Sequence, residues 1–541
     1  MSRREAILSA GLVFVAALVI RAVVAAQIVF PKPEDTAYYV GVARNLVEGR
    51  GLVSDAIWSY QTPPLVFPRP AFEVWLPLPT FLSAILMTLF GVGFSVAQVG
   101  SVVVGAIVPV LAWKLAADVA AERGLSPARA RTLAIGSGLT SAAYLPLVLH
   151  SALPDSTMPF AVLALTACLL MGRIARDPRG LRGGDPRIVG LGIVIGLTAL
   201  TRNEAIWLGL AWAIVAWRIP GLGALARVRP IAVAGVVAML VFAPWMVRAW
   251  LVFGSPLPGQ AAANALSVTG LDIFAWNDPP TLARYLDVGP ARLLQMRLEG
   301  IWHNLFSVLL LPGMPISIIG LLALPWQVRG PALRPTILVG ATIFLVTSLA
   351  FPVATTWGTF LHGAGPVHVL LVISALLALD AGIARLGVYR GWTRPVAWLG
   401  ATLGVAGSLL FSAVLLPSFG AASRETATHY EELGRRMTAI GRPLHASAGP
   451  VISNFPIWLA ETQRIPVLAL PNESPSDVLD LARTFDARLL VLIGGEHGQW
   501  PEVLSGGATG AECFRQVDLG PGPTGAADPL SSTQLYEIVC P

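Results

Sequence analysis

The sequence predicts a polytopic α-helical membrane protein with a small α/β domain at its C-terminal end. Its 541 residues are 55% hydrophobic and only 13% charged, with a mean hydropathy of +0.68, whereas a soluble domain carries about 25% charged residues. Apolar runs such as AILSAGLVFVAALVIRAVVAAQIVF and VAWLGATLGVAGSLLFSAVLLP have the length of about 20 residues that crosses a bilayer as a helix. The last part of the chain instead alternates short β-type runs with a helix, which is typical of an α/β domain.

The arginines and lysines between the apolar runs predict the orientation in the membrane. They cluster in short loops such as RIARDPRGLRGGDPR, RIPGLGALARVR and ARLGVYRGWTR. Placing every cluster in the cytoplasm gives a cytoplasmic N-terminus and about eleven transmembrane helices, by the positive-inside rule. Residues 31–95, residues 251–299 and everything after Pro417 then face outward from the plasma (inner) membrane. The net charge of +6 therefore indicates membrane anchoring and no nucleic-acid partner.

Two apolar runs need a separate interpretation. The first run of the chain is interpreted as a retained span, because it is too long for the apolar region of a signal peptide. The run FEVWLPLPTFLSAILMTLFG is interpreted as a helix that lies along the outer interface. Another span at that point would turn the basic segment KLAADVAAERGLSPARAR outward.

The organisation predicts a transmembrane domain over residues 1–418 and an extracytoplasmic α/β domain over residues 419–541. In the second domain, GPVISNFPIWLA, RIPVLALP and ARLLVLIGG predict strands. The segment NESPSDVLDLARTF predicts a helix that begins with a capping box. Cys513 and Cys540 also lie there and would form a disulfide outside the cell; two free buried thiols are the alternative.

Ionisable residues at membrane depth are costly, so we interpret them as candidates for function. The first ones lie in PKPEDTAYYVGVARNLVEGRG, which predicts a short interfacial helix after the first span. Asp35 is the candidate general base, because a carboxylate at a partly dehydrated interface has a raised pKa, and Glu34, Tyr38 and Tyr39 are its supporting residues. The alternative is that Asp35 only caps the helix, a role for which Asp is favoured.

Two further outward turns carry charged residues. LHSALPDSTMPF contains Asp155, which would face the same compartment as Asp35 or would serve only in the turn and cap. In GLTALTRNEAIWLG, Arg202 and Glu204 stand between two apolar runs of about 13 residues, whose helical length of about 20 Å is less than the ~30 Å hydrocarbon core. The pair is therefore expected below the outer surface, lining a cavity; the alternative is a self-contained ion pair that holds a hairpin.

Arg248 and two histidines complete the candidates. In FAPWMVRAWLVFGSPLPG, the planar guanidinium of Arg248 suits a phosphate, whereas an aromatic belt with a snorkelling arginine is the alternative. His362 and His368 in TFLHGAGPVH also face outward, and His362 is a further phosphate candidate. No second pair of ligands at metal spacing accompanies them, so no metal site is predicted. The sequence has no Walker A motif, which argues against energy from cytosolic ATP.

In their order and spacing, EDTAYYVGVARNLVEGRG, PDS, GLTALTRNE and PWMVRAWLVFGSPLP resemble the motifs of GT-C-type membrane glycosyltransferases, a class that includes protein O-mannosyltransferases and lipid A aminoarabinose transferases. The resemblance covers the membrane part of the chain. It implies transfer of a sugar, with inversion, from a polyprenyl-phosphate donor to an acceptor on the outer face. It also implies that Asp35 is the general base, that Asp155 orients acceptor or donor, and that Arg202 and Glu204 form the family's buried polar turn. The charges of Arg202 and Arg248 suit stabilisation of the leaving phosphate.

The sequence departs from the family's pattern in three places. The first-loop pair is Glu-Asp where mannosyltransferases tend to have Asp-Glu, and the turn reads TRNE where many relatives have TRPE. The late outward loop has FLHGAGPVH instead of an Arg-Tyr pair. These departures concern the phosphate-binding set more than the base.

Two other classes of function stay open from the sequence. A transporter or flippase of a lipid-linked sugar also needs buried polar turns, although the paired repeats of transporters are not found. A non-catalytic scaffold would present the C-terminal domain to a partner. The expected partners of the enzyme are a polyprenyl-phosphate sugar donor, an acceptor that is protein, lipid or glycan, and membrane lipids. The sequence specifies no cofactor and leaves open whether a divalent cation assists.

Overall fold

The computed structural model is a polytopic helical bundle with a mixed α/β domain packed against one of its ends. The bundle and the domain are described over residues 3–178, 185–219, 223–327, 330–392, 396–447, 449–494, 500–522 and 527–540.

The helices and strands of these residues are as follows. The α-helices are α1 (Arg3–Ala25), α2 (Glu34–Val47), α3 (Leu78–Phe90), α4 (Phe94–Glu122), α5 (Pro127–Ala143), α6 (Leu145–Ser151), α7 (Thr157–Arg176), α8 (Pro186–Ala199), α9 (Ile206–Trp217), α10 (Ala224–Phe253), α11 (Ala261–Leu266), α12 (Leu282–Asp287), α13 (Gly289–Trp302), α14 (Ile316–Ala323), α15 (Arg334–Leu349), α16 (Thr359–Gly363), α17 (Gly365–Tyr389), α18 (Trp398–Ala439), α19 (Pro456–Gln463), α20 (Pro475–Phe485) and α21 (Trp500–Ser505). The strands are β1 (Val53–Ser54), β2 (Ala56–Ile57), β3 (Arg69–Pro70), β4 (Val451–Ser453), β5 (Val467–Ala469), β6 (Leu489–Ile493), β7 (Phe514–Val517) and β8 (Thr533–Ile538).

Six helices in the described ranges are long and apolar enough to cross a membrane, namely α1, α4, α7, α10, α17 and α18. A seventh span results if α5 and α6, which meet at a bend of 56°, are counted together. Four shorter apolar helices, α3, α8, α14 with its 3₁₀ extension, and α15, add to the bundle. The predicted class of polytopic membrane protein is confirmed, while the total of eleven spans stays a prediction. Helix α3 has 13 residues, too few to cross the ~30 Å core.

Small residues let α8 pack directly on α10. A Cβ atom built at Gly192 would lie 2.7 Å from the carbonyl oxygen of Ala234, and one at Gly196 would lie 2.8 Å from that of Ala238. Two glycines four residues apart are the usual means by which membrane helices approach closely. This contact positions the end of α8, from which the Arg202 turn begins.

The first loop and the C-terminal domain share one β-sheet. The order of its six strands is β2-β5-β4-β6-β8-β7. Strands β2, β5, β4 and β6 are parallel to one another, and β8 is antiparallel to both β6 and β7. Strand β2 comes from the first loop, and Ile57 stands opposite Leu468 of β5. The loop predicted over residues 31–95 therefore lies at the same end of the bundle as the C-terminal domain.

The C-terminal domain has the predicted α/β character. Helix α20 begins with the expected capping box, in which Ser474 and Asp477 bond to each other's backbone. Cys513 and Cys540 are joined in a disulfide. The division of the chain at residue 418 stays a prediction, since α18 continues without interruption from Trp398 to Ala439.

Candidate active site

Asp35 lies in the first turn of α2, at the end of the bundle that carries the C-terminal domain. The N-cap of this helix is Pro33, and no side chain caps it, so the interpretation of Asp35 as a helix cap is wrong. Its Oδ2 is 3.3 Å from Nε2 of His362, and 27% of its side-chain surface is exposed. Burial raises the pKa of Asp35 to about 6, Arg202 opposes this rise and Asp155 adds to it. Asp35 therefore titrates close to the pH at which a general base works best.

Asp155 lies in the turn between α6 and α7, close to the same histidine. Its Oδ1 accepts a hydrogen bond of 2.7 Å from the backbone N–H of Thr157, which is the turn chemistry that the sequence allows. Its Oδ2 is buried without a hydrogen-bond partner and lies 3.8 Å from Nδ1 of His362. Burial raises the pKa of Asp155 to about 6. Oδ1 therefore serves in the turn, whereas Oδ2 faces the same histidine as Asp35. The two interpretations of Asp155 from the sequence are thus compatible.

Arg202 and Glu204 form the turn between two short helices. Helix α8 has 14 residues and α9 has 12, so the turn lies deeper than a full span would allow. Arg202 Nε and Nη2 donate to the Glu204 carboxylate at 3.1 and 2.6 Å. Arg202 also donates to Ser156 Oγ at 3.0 Å and to the carbonyl oxygen of Thr359 at 3.2 Å. The pair thus holds its own turn and also joins it to the α6–α7 turn and to α16.

His362 lies between the two carboxylates and is almost fully buried. Besides the contact of Nε2 with Asp35, its Nδ1 is 2.7 Å from Thr157 Oγ1. Burial, and then the charge of Arg202, hold the pKa of His362 well below its usual range. The imidazole is therefore neutral at neutral pH and able to donate one hydrogen bond and accept another. The sequence suggests His362 as a phosphate ligand, whereas the structure places it beside the carboxylates.

His150 on α6 is a neighbour that the sequence interpretation missed. One ligand atom each of His150, Asp155 and His362 lies within 4.8 Å of the others. Two histidines and one carboxylate are a donor set that suits Zn²⁺. A cation would have to compete with Thr157 and Asp35 for the nitrogens of His362. The signal in the sequence was His150 itself, five positions before Asp155.

Arg248 lies apart from this cluster, at the end of α10. Its guanidinium stacks on the ring of Trp245 at 4.6 Å and lies 5.9 Å from the ring of Phe72, which agrees with the aromatic-belt interpretation. Its Nη1 is nevertheless buried without a hydrogen-bond partner. From Phe72, ring contacts continue through Tyr38 to Trp75 at 5.9 and 4.1 Å. An aromatic wall of Phe72, Tyr38 and Trp75 thus connects the surroundings of Arg248 with Asp35, to which Trp75 donates a hydrogen bond.

The supporting residues of the first loop have separate places. The hydroxyl group of Tyr38 accepts a 2.6 Å bond from the backbone N–H of Phe72 and donates to Glu73 at 3.3 Å. Glu73 and Arg69 are fully buried and 3.5 Å apart, an ion pair that the sequence interpretation missed. Tyr39 is buried; its phenol lies near the negative charge of Asp35 and is hydrogen-bonded to the side chain of Ser156.

Glu34 and His368 make their described contacts with residues outside the carboxylate cluster. Glu34 accepts hydrogen bonds from backbone N–H groups at the start of α19. His368 lies in α17 with its ring 5.5 Å from that of Tyr144. Helix α2, the α6–α7 turn, the α8–α9 turn and α16 therefore bring Asp35, Asp155, Arg202 and His362 together at one end of the bundle. This cluster can accept a proton and hold a charged group.

Comparison with known proteins identifies the fold. No family model matches the chain, and no curated protein matches it. Among solved structures, the chain is similar in fold to GT-C-type membrane glycosyltransferases, the class whose motifs the sequence resembles.

The similar structures include ArnT from Cupriavidus metallidurans, in crystal structures bound to undecaprenyl phosphate and in the apo state. The TM-scores are 0.54 and 0.55, each at 14% identity, over 98% of this chain and 98% or 97% of the ArnT chain. The oligosaccharyltransferase AglB from Archaeoglobus fulgidus, in complex with an inhibitory peptide and a dolichol-phosphate, matches 89% of this chain and 69% of its own. Its TM-score is 0.46 at 11% identity. At these identities the likeness concerns the fold.

Proposed function

We propose that this protein is a membrane glycosyltransferase that moves a sugar from a polyprenyl-phosphate-linked donor to an acceptor on the extracytoplasmic face of the plasma membrane. The observation that carries the proposal is the convergence of Asp35, Asp155, Arg202 and His362 at one end of a GT-C-type fold. The ArnT structure with undecaprenyl phosphate supports the class of donor.

In this proposal Asp35 is the general base of a single, inverting displacement. It removes the proton from the acceptor hydroxyl group as the acceptor oxygen forms a bond to the anomeric carbon of the sugar. The bond between that carbon and the donor phosphate oxygen breaks, and its electron pair leaves with the polyprenyl phosphate. The exposed part of Asp35 and its pKa of about 6 support this role, because the base is mostly ionised at neutral pH.

His362 supports Asp35 in this scheme through hydrogen bonding. Its neutral imidazole bridges Asp35 and Thr157, so it orients the base. We assign Asp155 to the same part of the site, where its buried Oδ2 is available for an acceptor or donor hydroxyl group.

Arg202 and Arg248 have different roles in this proposal. Arg202 already donates to Glu204, Ser156 and Thr359, so its contribution is a fixed positive charge beside Asp35. Arg248 has a buried Nη1 without a partner and is the better candidate for a phosphate oxygen. The sugar would then lie along the aromatic wall between Arg248 and Asp35.

The test is transfer by purified protein in detergent or vesicles, with undecaprenyl-phosphate-linked sugars as donors and release of undecaprenyl phosphate as the readout. Asp35→Asn keeps the shape of the side chain and removes the base, so it should lower the rate by about 10²–10⁴-fold, the usual contribution of a general base. Asp287→Asn, an exposed acid at the end of α12, is the matched control and should leave the rate unchanged. Equal rates for wild type and Asp35→Asn contradict the assignment of the base.

The transporter and scaffold alternatives give different results in the same system. Movement of the intact lipid-linked sugar across a vesicle membrane, without cleavage of the sugar–phosphate bond, would contradict the transferase proposal. Binding of undecaprenyl phosphate without turnover for any acceptor would favour the scaffold.

A further inference from the structure

Glu34 connects the candidate base to the C-terminal domain. Its carboxylate Oε1 accepts hydrogen bonds from the backbone N–H groups of Ile457 at 2.9 Å and Trp458 at 3.3 Å. Both residues lie in the first turn of α19, where backbone N–H groups have no partner within the helix and a negative charge is favoured. Glu34 therefore supplies the missing acceptor from a position more than 400 residues earlier in the chain.

Further contacts hold α19 on α2 and on the segment before it. The indole of Trp458 donates to the carbonyl oxygen of Pro31 at 3.1 Å, and its ring packs on that of Phe30 at 5.8 Å. Both contacts reach the chain just before α2 begins.

A second contact lies at the other end of α2. Arg44 Nη1 is 2.8 Å from Glu461 Oε2, and the Arg44 side chain is only 6% exposed. Gly41 lies between the two contacts, and a Cβ atom built there would be 2.7 Å from Glu461 Oε2. A side chain at position 41 would therefore displace the Glu461 carboxylate that pairs with Arg44.

We propose that α19 of the C-terminal domain is a clamp on α2, and that Glu34 is a positioning residue through which this clamp holds Asp35 in place. The proposal rests on the transferase function proposed above and adds to it a role for the C-terminal domain. Adjacent carboxylates in the sequence then have different tasks, since Glu34 faces α19 and Asp35 faces His362.

The physical reason is the position of Asp35 in the first turn of a helix. Helix ends fray readily, and the N-cap of α2 is Pro33 without a side-chain cap. The hydrogen bonds of Glu34 cap α19 and leave α2 uncapped, but they tie the first turn of α2 to the C-terminal domain and so fix the turn that carries Asp35. A displacement of about 1 Å at a catalytic group is enough to cost about 10²-fold in rate.

Two conservative variants distinguish the effect of the length of the Glu34 side chain from the effect of its charge. Glu34→Gln keeps a side-chain oxygen at the same distance, so it should accept the same two N–H groups and retain the rate within about threefold. Glu34→Asp keeps the charge but is one methylene shorter, so it should lose the contact and lower kcat by about 10-fold to 100-fold, with the KM for the undecaprenyl-phosphate-linked donor unchanged. The control is Asp287→Asn, an exposed acid outside α2 and α19, which should have no effect.

Amide hydrogen exchange of residues 456–463 in the full-length protein provides a readout that is independent of turnover. Protection of this segment should fall in Glu34→Asp and persist in Glu34→Gln. In Glu34→Asp, the acid limb of the pH–rate profile should also move below its wild-type midpoint, because Asp35 becomes more solvated. A merely structural role would leave that midpoint in place.

Distinct results overturn the clamp and the transferase function. Full activity of Glu34→Asp together with loss of activity in Glu34→Gln would show that the charge of this side chain matters and its length does not. That result would overturn the clamp. Lost protection with an unchanged rate and pH profile would overturn the positioning role while the transferase proposal stands. Unchanged turnover in Asp35→Asn would overturn the transferase proposal, whereas the exchange result would still decide whether Glu34 holds α19.

Discussion

The pH dependence of transfer offers a sharp test of the candidate site, because two neighbours move the pKa of Asp35 in opposite directions. Asp35 has a pKa of about 6, raised by burial and by Asp155 and opposed by Arg202. Only the deprotonated base is active, so kcat/KM should lose half its value near pH 6 and about nine-tenths near pH 5, then fall about tenfold for each further unit.

Substitutions of the two neighbours should shift this midpoint with opposite signs. His362 separates the carboxylates of Asp35 and Asp155, and charges about 7 Å apart at an effective dielectric of about 20 interact by about 2.4 kcal/mol, or between one and two pKa units. Asp155→Asn removes a negative charge and should lower the midpoint toward pH 4–5, by this estimate. Arg202→Gln removes a positive charge and should raise the midpoint by at least as much, because Arg202 has the larger of the two charge effects on Asp35 although Glu204 is its ion-pair partner.

The assay is the initial rate of undecaprenyl phosphate release between about pH 3 and pH 8 in overlapping buffers, a range that covers both the ordinary and the raised pKa of an aspartate base. Thermal unfolding at each pH checks that the protein stays folded, and Asp287→Asn serves as the control with an unmoved midpoint. Shifts of the same sign in both variants, or a wild-type midpoint near the ordinary Asp value of about 3.9, would refute the identification of Asp35 as the titrating base.

Three other predictions follow from single contacts. The double variant Cys513→Ser, Cys540→Ser removes a disulfide that links residues 27 positions apart. It should destabilise the C-terminal domain by about 3.5 kcal/mol in the chain-entropy model. Limited proteolysis of that domain should then be faster, and an unchanged rate of proteolysis would contradict this prediction. Arg248→Lys keeps the charge but loses the planar fork, so the donor KM should rise about tenfold with kcat nearly unchanged, and a fall in kcat alone would speak against a phosphate contact. Added Zn²⁺ should inhibit the wild type by binding His150, Asp155 and His362 and drawing His362 away from Asp35. His150→Gln should relieve this inhibition. Activation by Zn²⁺ would instead identify the cation as a cofactor.

The sequence predicted the parts of the fold and site that depend on local pattern and membrane topology. Apolar run length predicted a chain with several membrane-spanning helices, and the SPSD capping box predicted the start of α20. The distribution of arginines predicted that the turns of Asp35, Asp155 and Arg202 would emerge on one side, and in the structure these residues converge. The alternation of spans was enough to predict this convergence, because turns that emerge on the same side of the membrane all lie at one end of the bundle.

Contacts between distant parts of the chain were beyond such reasoning. The role of Glu34 depends on the orientation of α19, which no local pattern specifies. The phosphate interpretation of His362 rested on its side of the membrane, and only packing places it between two carboxylates. The buried pair of Arg69 and Glu73 was missed because it spans a strand of only two residues and the loop after it. So short a segment shows neither the helical nor the strand spacing of apolar residues.

The participation of β2 in the C-terminal sheet has a consequence for biosynthesis. Ile57 leaves the ribosome about 400 residues before Leu468, its partner across the sheet, an interval of about 20–80 s at translation rates of about 5–20 residues per second. During that time the strand of the first loop, which follows the candidate base Asp35, stays without its partner β5. A premature stop codon anywhere ahead of β5 therefore removes more than a terminal domain, because it also leaves unfinished a loop that was translated at the very beginning.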